Sequence, residues 1–253
     1  MTRDSRVPAI SVAVPTVDDR GQSNVIGVAV LIGLTMISLG TLTAAVGTVV
    51  ESNAAAANAD RVADDLEAAI QPVEATGRHT GRVSFTDGEF RTVDRTVRIH
   101  NGSGWTAYEA DGVAYESGSH RVLAVAGAIV RDYGGGAKMY RDPPFAVSEG
   151  VALFGIAVLG GEETRSVTTD EATTLALTSN VSHEREALGD GEFAVAIETD
   201  APGAWERYFE RIGADVERKS FAGDAHDSVV ARFDGTRTGY LVRHTLGLEV
   251  RHV

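Results

Sequence analysis

Hydrophobic and polar positions divide the chain into an N-terminal helical part and a longer strand-rich part. Residues 25–50 contain no charged side chain, and as a helix they extend about 39 Å, more than the ~30 Å hydrocarbon core of a bilayer. Beyond residue 50, apolar residues recur at steps of three and four, and acidic residues take mostly the other positions. The pattern predicts one helix over residues 22–72, transmembrane over 25–50 and amphipathic afterwards, with Pro72 and Gly77 ending it. The apolar positions of the amphipathic part are Ala59, Val62, Ala63, Leu66, Ala69, Ile70 and Val73.

The strand-rich part begins near Gly81, where short apolar or alternating runs are separated by glycine, asparagine and aspartate turns. This spacing is typical of an antiparallel sheet or sandwich. We predict an α+β fold: a β-rich, sandwich-like, mostly antiparallel domain over residues 78–161 and a β-α-β-β unit over residues 162–253, which opens with a polar stretch to Asp190. The two are expected to form one continuous body, with a subdomain boundary near residues 161–170. The predicted strands are 82–85, 92–99, 105–108, 113–115, 121–130, 138–140, 145–147, 151–158, 192–197, 216–221, 229–233 and 240–250.

One short helix is predicted within the second segment. Asp200 is a candidate N-cap, Pro202 lies in the first turn, and Gly213 follows the last turn. One face of this helix carries Trp205, Tyr208, Phe209 and Ile212. This face is either a partner surface or part of the core, and the spacing favours the core. The Gly134–Gly136 run is interpreted as a hairpin end rather than a phosphate-binding loop, because no lysine-threonine pair follows it.

The charge balance excludes some partners. The formal net charge is −13, and lysine occurs only as Lys138 and Lys219 beside 36 carboxylates. Such a surface repels nucleic acid, so we expect no nucleic-acid partner. The chain is either an ordinary acidic protein or, as the shortage of lysine favours, a haloarchaeal protein adapted to concentrated salt, which screens the repulsion between carboxylates. The sequence contains no cysteine, which excludes disulfides and thiolate metal sites.

Basic residues around the apolar segment indicate its orientation. Three arginines precede it, and Arg61 is the only nearby cation after it. The positive-inside rule then predicts a cytoplasmic leader over residues 1–21 and an extracellular body. A cleaved secretory signal is the alternative, with Ala57-Asn58-Ala59 as its cleavage motif. Its usual apolar core is much shorter than this one, which favours a retained helix.

The junction before the apolar segment reads Asp-Asp-Arg-Gly-Gln-Ser-Asn-Val-Ile-Gly over residues 18–27. It resembles the class III signal of archaeal type IV pilins and archaellin-like proteins, in which a charged leader ends in a basic residue followed by a small one. The resemblance implies that a prepilin peptidase cuts between Gly21 and Gln22 on the cytoplasmic side and leaves the helix attached to the body. Asn24 stands where the haloarchaeal pattern commonly has proline, and Ile26 stands where bacterial pilins have glutamate.

Small residues gather on one side of the apolar segment. Gly33, Gly40 and Gly47 recur every seven residues, and Ala44 lies four residues after Gly40. Such a stripe allows helices to approach closely in lipid or in a filament core, so we predict a packing face for other pilin-like subunits. Glycine is also common in membrane helices, and a chance arrangement is the alternative.

No sequence motif predicts a catalytic residue, a metal site or a cofactor. The histidines are dispersed, and the closest approach to a metal-ligand spacing is the pair His244 and His252, which we interpret as surface residues. The sequons at Asn101 and Asn180 fall where turns are predicted, and both are candidate N-glycosylation sites on an exported domain.

Three hypotheses about function follow. The first is a type IV pilin-like subunit, and a minor one, which prepilin peptidase processes and which packs through its helix into a surface filament. In the second, the helix is a solitary anchor in the cell membrane, and the extracellular β-rich domain binds surface partners. The third, an anchored or secreted enzyme, has no motif behind it, so we expect no enzymatic activity.

Overall fold

The structure, a computed structural model, describes residues 20–70, 75–160 and 166–252. Helix α1 comprises Arg20–Ile70, which confirms the predicted long helix as far as Ile70. Pro72 and Val73 lie outside the described residues. The chain divides into two compact units, Met1–Val50 and Glu51–Val253, so α1 contributes residues to both. We call the second unit the body.

Seventeen strands and helix α2 follow α1 in the described part of the body. In chain order they are β1 (Gly77–Phe85), β2 (Gly88–Val93), β3 (Thr96–His100), β4 (Trp105–Glu109), β5 (Gly112–Ser117), β6 (His120–Val125), β7 (Ala128–Asp132), β8 (Ala137–Arg141), β9 (Phe145–Val147), β10 (Val151–Val158), β11 (Ser166–Thr169), β12 (Thr173–Gly191), β13 (Ala194–Glu198), α2 (Pro202–Arg211), β14 (Asp215–Lys219), β15 (Ser228–Arg232), β16 (Arg237–Thr245) and β17 (Glu249–His252). The predicted α+β class is confirmed.

The strands form three sheets. The first sheet has the order β1-β12-β16-β10-β9, and β17 also pairs with β12. The second has the order β11-β2-β5-β6-β7-β8, and the third has the order β14-β15-β13-β3-β4. Strands β10 and β16 run parallel, and the other pairs are antiparallel. The predicted mostly antiparallel, β-rich body is therefore present.

Two large apolar cores lie on opposite faces of the second sheet. In β6, Val122 belongs to the core that contains residues of α1 and the first sheet. Its neighbour Leu123 belongs to the core that contains α2 and the third sheet. Strands buried on both faces are apolar at successive positions, since neither face meets water. This explains the continuous apolar run around β6 and β7.

Helix α2 packs on the inner face of the third sheet. Trp205, Tyr208 and Phe209 are at most 4 % exposed, which confirms that the aromatic face is core. Pro202 lies in the first turn, and Gly213 beyond the last turn has a φ of 81°, a conformation that favours glycine. The N-cap prediction for Asp200 was wrong, because the cap position is Ala201 and the Asp200 carboxylate contacts Arg95 and Arg121 instead.

The longest strand, β12, was missed within the stretch that we read as polar. Its first half alternates buried and partly exposed residues, with Leu175, Leu177 and Val181 facing the core. Its second half is mostly exposed and pairs with β16 over residues 182–191. An exposed strand half gives no apolar alternation, so only its backbone pairing marks it as a strand.

Three predicted strands are each two strands in the structure. Run 121–130 contains a two-residue hairpin at Ala126 and Gly127, whose φ angles of 54° and 85° suit a tight antiparallel turn. Run 92–99 breaks at Arg95, where the chain passes from the second sheet to the third. Run 240–250 breaks at residues 246–248, where the N–H groups of Leu246 and Leu248 donate to Val158 and Leu159. The regular ladder with β12 stops there, and one bond from the Asn180 N–H to the Leu246 carbonyl remains.

The two predicted segments of the body share every sheet. For example, β1 pairs with β12, β2 with β11, and β3 with β13. The pairings therefore join residues 78–161 and 162–253 into one body, as expected for a continuous β-rich domain. Residues 161–165, at the predicted boundary, lie outside the described residues. Gly134–Gly136 connect β7 and β8, as the hairpin interpretation predicts.

Candidate functional site

The first half of α1 presents an apolar surface on all sides. Its large side chains range from 47 % exposed at Ile32 to 69 % at Met36. Among the described residues, the helical segment Ile26–Ile70 is the one long and apolar enough to cross a membrane. Four hydroxyls of this half donate to backbone carbonyls one turn earlier, at 2.8–2.9 Å: those of Thr35, Thr41, Thr43 and Thr48. These bonds satisfy the hydroxyls without water, as a hydrocarbon environment requires.

The predicted small-residue stripe lies along this half. Residues seven apart on an α-helix differ by only about 20° around the axis, so Gly33, Gly40 and Gly47 share a side, together with Ala44. Apart from the nearby backbone of the helix itself, a Cβ atom added at any of the three glycines would have no atom within 4 Å. The stripe is therefore open for a close helix neighbour, and its role as a packing face stays a prediction.

The second half of α1 is buried in the body. Ala59, Val62, Ala63 and Leu66 are at most 2 % exposed, and they join a core with side chains of the first and second sheets. The helix approaches β1 very closely, since a Cβ added at Gly81 would lie 2.4 Å from the Cβ of Ala69. The predicted amphipathic pattern is confirmed for the residues up to Ile70.

Polar contacts join the same half of the helix to the rest of the body at several positions along its length. The amide nitrogen of Asn58 lies 2.8 Å from the Thr86 hydroxyl, and the Ser84 backbone N–H donates to Asp65 at 2.9 Å. Further contacts of α1 join Asp60 to Arg131 and Asp64 to the hydroxyl of Tyr140. The hydrogen bond that Tyr140 donates to Asp64 raises the pKa of the phenol. The sequence pattern predicts only that acidic residues lie mostly outside the apolar positions, and the partners of these residues, distant in sequence, gave no local signal.

The alternative cleavage motif, Ala57-Asn58-Ala59, lies within this buried half. Asn58 is 6 % exposed and Ala59 is 2 % exposed, and all three residues are helical. A cut after Ala59 would remove the Asn58 contact with Thr86 and the buried Ala55 from the body. The structure thus makes residues on both sides of this motif part of one folded unit.

A polar cleft of about 500 Å³ opens where β3 and β4 meet the loop after β14. Asp94, Glu109 and Asp111 line it, and burial, followed by repulsion from Asp94 and Glu109, raises the pKa of Asp111. Glu198, also in the wall, is 4 % exposed and accepts backbone N–H bonds from Thr96, Ala225 and His226 at 3.0–3.2 Å. Since three backbone N–H groups bind its carboxylate, Glu198 stabilises the loops around the cleft. The acidic side chains of Asp94, Glu109 and Asp111 make the cleft suitable for a polar or cationic ligand.

His244 and His252, which we interpreted as surface residues, differ in burial: His252 is exposed, but His244 is only 8 % exposed, so its placement at the surface was wrong. The two histidines also do not come together. His244 faces His183 across the β12–β16 pairing, with the two Nδ1 atoms 2.9 Å apart. His252 pairs with Leu175, eight residues along β12 from His183, which is roughly 26 Å in a strand. No group of three metal-binding side chains occurs in the described ranges 20–70, 75–160 and 166–252.

The remaining predicted sites lie at the start of α1, in the turn between β3 and β4, and in β12. Gly21 and Gln22 belong to the first turn of α1, and residues 1–19 of the leader lie outside the described residues. Asn101 lies in the turn between β3 and β4, as predicted. Asn180 lies inside β12, so its placement in a turn was wrong. The error follows from reading that stretch as polar loop.

A family model spans nearly the whole chain, with residues 20–249 matching a family of unknown function, DUF7289. The chain belongs to DUF7289. Comparison with curated proteins and with solved structures finds no match. The DUF7289 match runs from the first turn of α1 to β17, so the matched region includes both the apolar helix and the β-rich body.

Proposed function

We propose that this DUF7289 member is a type IV pilin-like subunit, a minor one, of a cell-surface filament. The observation that carries the proposal is the division of α1. One helix joins an exposed apolar half, which needs lipid or neighbouring helices, to a half that is buried in its own β-rich body. A subunit that is held in a membrane before assembly and in a filament core afterwards needs this combination.

In this proposal the leader is removed between Gly21 and Gln22 by prepilin peptidase on the cytoplasmic side. The apolar half of α1 stays in the bilayer until other pilin-like subunits replace the lipid, and the stripe of Gly33, Gly40 and Gly47 faces them. The body lies outside the cell. Its partners are thus the peptidase, the bilayer and other subunits.

The charge of the body supports an exposed location in a salty medium. The first 50 residues carry three acidic and three basic side chains, so the whole net charge of −13 belongs to the residues after them. Such a surface stays soluble and repels nucleic acid. We propose a haloarchaeal cell surface as its setting, where salt screens the repulsion between neighbouring bodies.

A second candidate function is a solitary anchored binding domain. The cleft of about 500 Å³ beside Asp94 and Asp111 favours it, because an assembly subunit has no need of a ligand cleft. Here the leader is retained or removed, but the helix never leaves the bilayer. The chain then occurs only in membranes.

Shearing of intact cells separates the two candidates. The pilin-like subunit is expected in sheared filaments in its mature form, whereas the solitary anchor stays with the cells. A Gly21→Leu chain should retain its leader and be absent from filaments, because the peptidase requires a small residue before the cut. Gly27→Leu is the matched control, since no atom lies within 4 Å of an added Cβ there, and it should be processed normally. Normal processing of Gly21→Leu refutes the proposed cut.

A further inference from the structure

The two sequons of the chain lie in different kinds of backbone. Strand pairing between β3 and β4 stops at His100 and resumes at Trp105, so Asn101, Gly102 and Ser103 form an open connection. Gly102 and Ser103 are exposed, and Gly102 has a φ of 90°. An exposed connection of this kind can enter the binding site of a modifying enzyme while the strands on either side stay paired.

The side chain of Asn101 is held in place by its own sequon. Its Oδ1 atom accepts a hydrogen bond from the hydroxyl of Ser103 at 2.7 Å and one from the Ser103 backbone N–H at 3.3 Å. Both bonds use the amide oxygen. The amide nitrogen, Nδ2, has no hydrogen-bond partner among the described residues and is available for reaction.

Asn180 has the same motif, but it lies in a strand that is hydrogen-bonded on both sides. Its backbone N–H donates to the carbonyl of Leu246 at 2.7 Å, and the residue pairs with Arg78 of β1 on the other side. Val181, in the middle of the sequon, is 2 % exposed. Among the described residues no hydrogen bond joins the Ser182 hydroxyl to the Asn180 amide, in contrast to the bond between Ser103 and Asn101. The side chain of Asn180 is exposed, but its backbone is fixed in the sheet.

We propose that Asn101 is an N-glycosylated residue of this protein and that Asn180 is not. The donor is a lipid-linked oligosaccharide phosphate. Nδ2 of Asn101 bonds to the anomeric carbon, the bond between that carbon and the phosphate oxygen breaks, and the lipid phosphate leaves with the bonding electrons. A base of the transferring enzyme takes the amide proton. The proposal rests on the extracellular location of the body that the proposed function includes.

The surroundings of Asn101 suit an attached sugar. A cavity of about 240 Å³ opens beside the connection, and His100 and Gly102, the two neighbours of Asn101, line it with Glu192 and Arg232. These side chains offer donors and acceptors to sugar hydroxyls. A Cβ on Gly191 would lie 2.4 Å from the carbonyl oxygen of Asn101, so glycine at 191 allows the connection to pack closely against the end of β12.

The test is mass spectrometry of peptides from the full chain, purified from the membranes of the cells that make it. The expected result is a sugar on the Asn101 peptide and an unmodified Asn180 peptide. Asn101→Gln and Ser103→Ala should abolish the sugar, and Ser103→Thr should retain it because the hydroxyl remains. Asn180→Gln and Ser182→Ala are the matched controls and should leave the intact mass of the glycan unchanged.

Sugar on both sequons would overturn the proposal, because the folded backbone would then not select the site. Sugar on Asn180 alone, or on neither residue, would overturn it too. The same preparation reports the mature N-terminus. A chain that starts at Gln22 without sugar refutes only this inference, whereas an uncut chain with sugar on Asn101 supports it and refutes the pilin-like function.

Discussion

The two halves of α1 both contain many small and apolar residues but have opposite surroundings. Leu39, in the first half, is 65 % exposed, whereas Leu66, in the second half, is fully buried in the body. The first half has no charged residue between 25 and 50, and the second half places aspartates where Arg131 and Tyr140 meet them. One helix can thus contact an external apolar environment with its first half and the core of its own fold with its second half. The first charged residues after residue 50 mark the boundary between the two halves.

The largest expected effect is on the free energy of unfolding when one leucine in each half is truncated to alanine. Leu66→Ala should lower the free energy of unfolding of the body by about 2–5 kcal/mol, because it leaves a cavity in a fully buried core. Leu39→Ala removes the same atoms from an exposed position and should leave that free energy unchanged. Denaturant unfolding of the full chain in detergent measures both. Equal losses in the two variants would contradict the division.

A charge introduced into the first half tests its need for an apolar environment. Leu39→Arg should disfavour membrane insertion by about 2.5–3.5 kcal/mol, the cost of arginine at the centre of a membrane helix. The fraction of chain that resists alkaline extraction from membranes should therefore fall. Ala57→Arg, at an exposed position of the second half, is the control and should stay in the membrane fraction like the wild type.

A methyl group added to each half tests how closely each is packed. Gly81→Ala should destabilise the body by about 1–3 kcal/mol, since its Cβ would lie 2.4 Å from that of Ala69. Gly40→Ala meets no atom within 4 Å and should not change body stability. Thermal unfolding compares the two. A neutral Gly81→Ala would show that α1 and β1 are less tightly packed than described.

The smallest expected effect concerns the hydrogen bond from Tyr140 to Asp64. Tyr140→Phe should cost about 0.5 kcal/mol, because the pair is partly exposed to water. The bond raises the pKa of Tyr140 above its usual 10.0, so the stability it adds is complete below pH 10 and is lost as the pH rises through the higher folded-state pKa. Unfolding curves from pH 8 to 12 should show a smaller alkaline loss for Tyr140→Phe. An unchanged alkaline profile would contradict the assignment.

Features encoded in local patterns were predictable from the sequence. The apolar run, the three-and-four spacing from Ala59 to Ile70 and the aromatic face of α2 each mark a helix and its buried side, and the structure has them. Ala126 shows the limit, because an alanine with positive φ in a run buried on both faces gives no turn signal. β12 shows another, because its exposed half is defined by the strand beside it.

Contacts between distant residues were not predictable. Asp200 was expected to cap α2 from its position two residues before Pro202, but it contacts Arg95, 105 residues earlier in the chain. Asp200 makes a charge-assisted bond to the buried Arg95 instead, and a single sequence does not show which arginine will be near. The partners of Asp60 and Asp64 were hidden for the same reason. The two sequons looked alike in sequence, and only the sheet distinguishes them.

The central claim is that the apolar helix stays joined to the body after the leader has been removed. The most direct measurement is the intact mass of the chain from native membranes, read after enzymatic removal of any glycan. The account predicts a mature chain that begins at Gln22 and retains all of α1 beyond it. A soluble chain that begins near Asp60, without the apolar half, would contradict it.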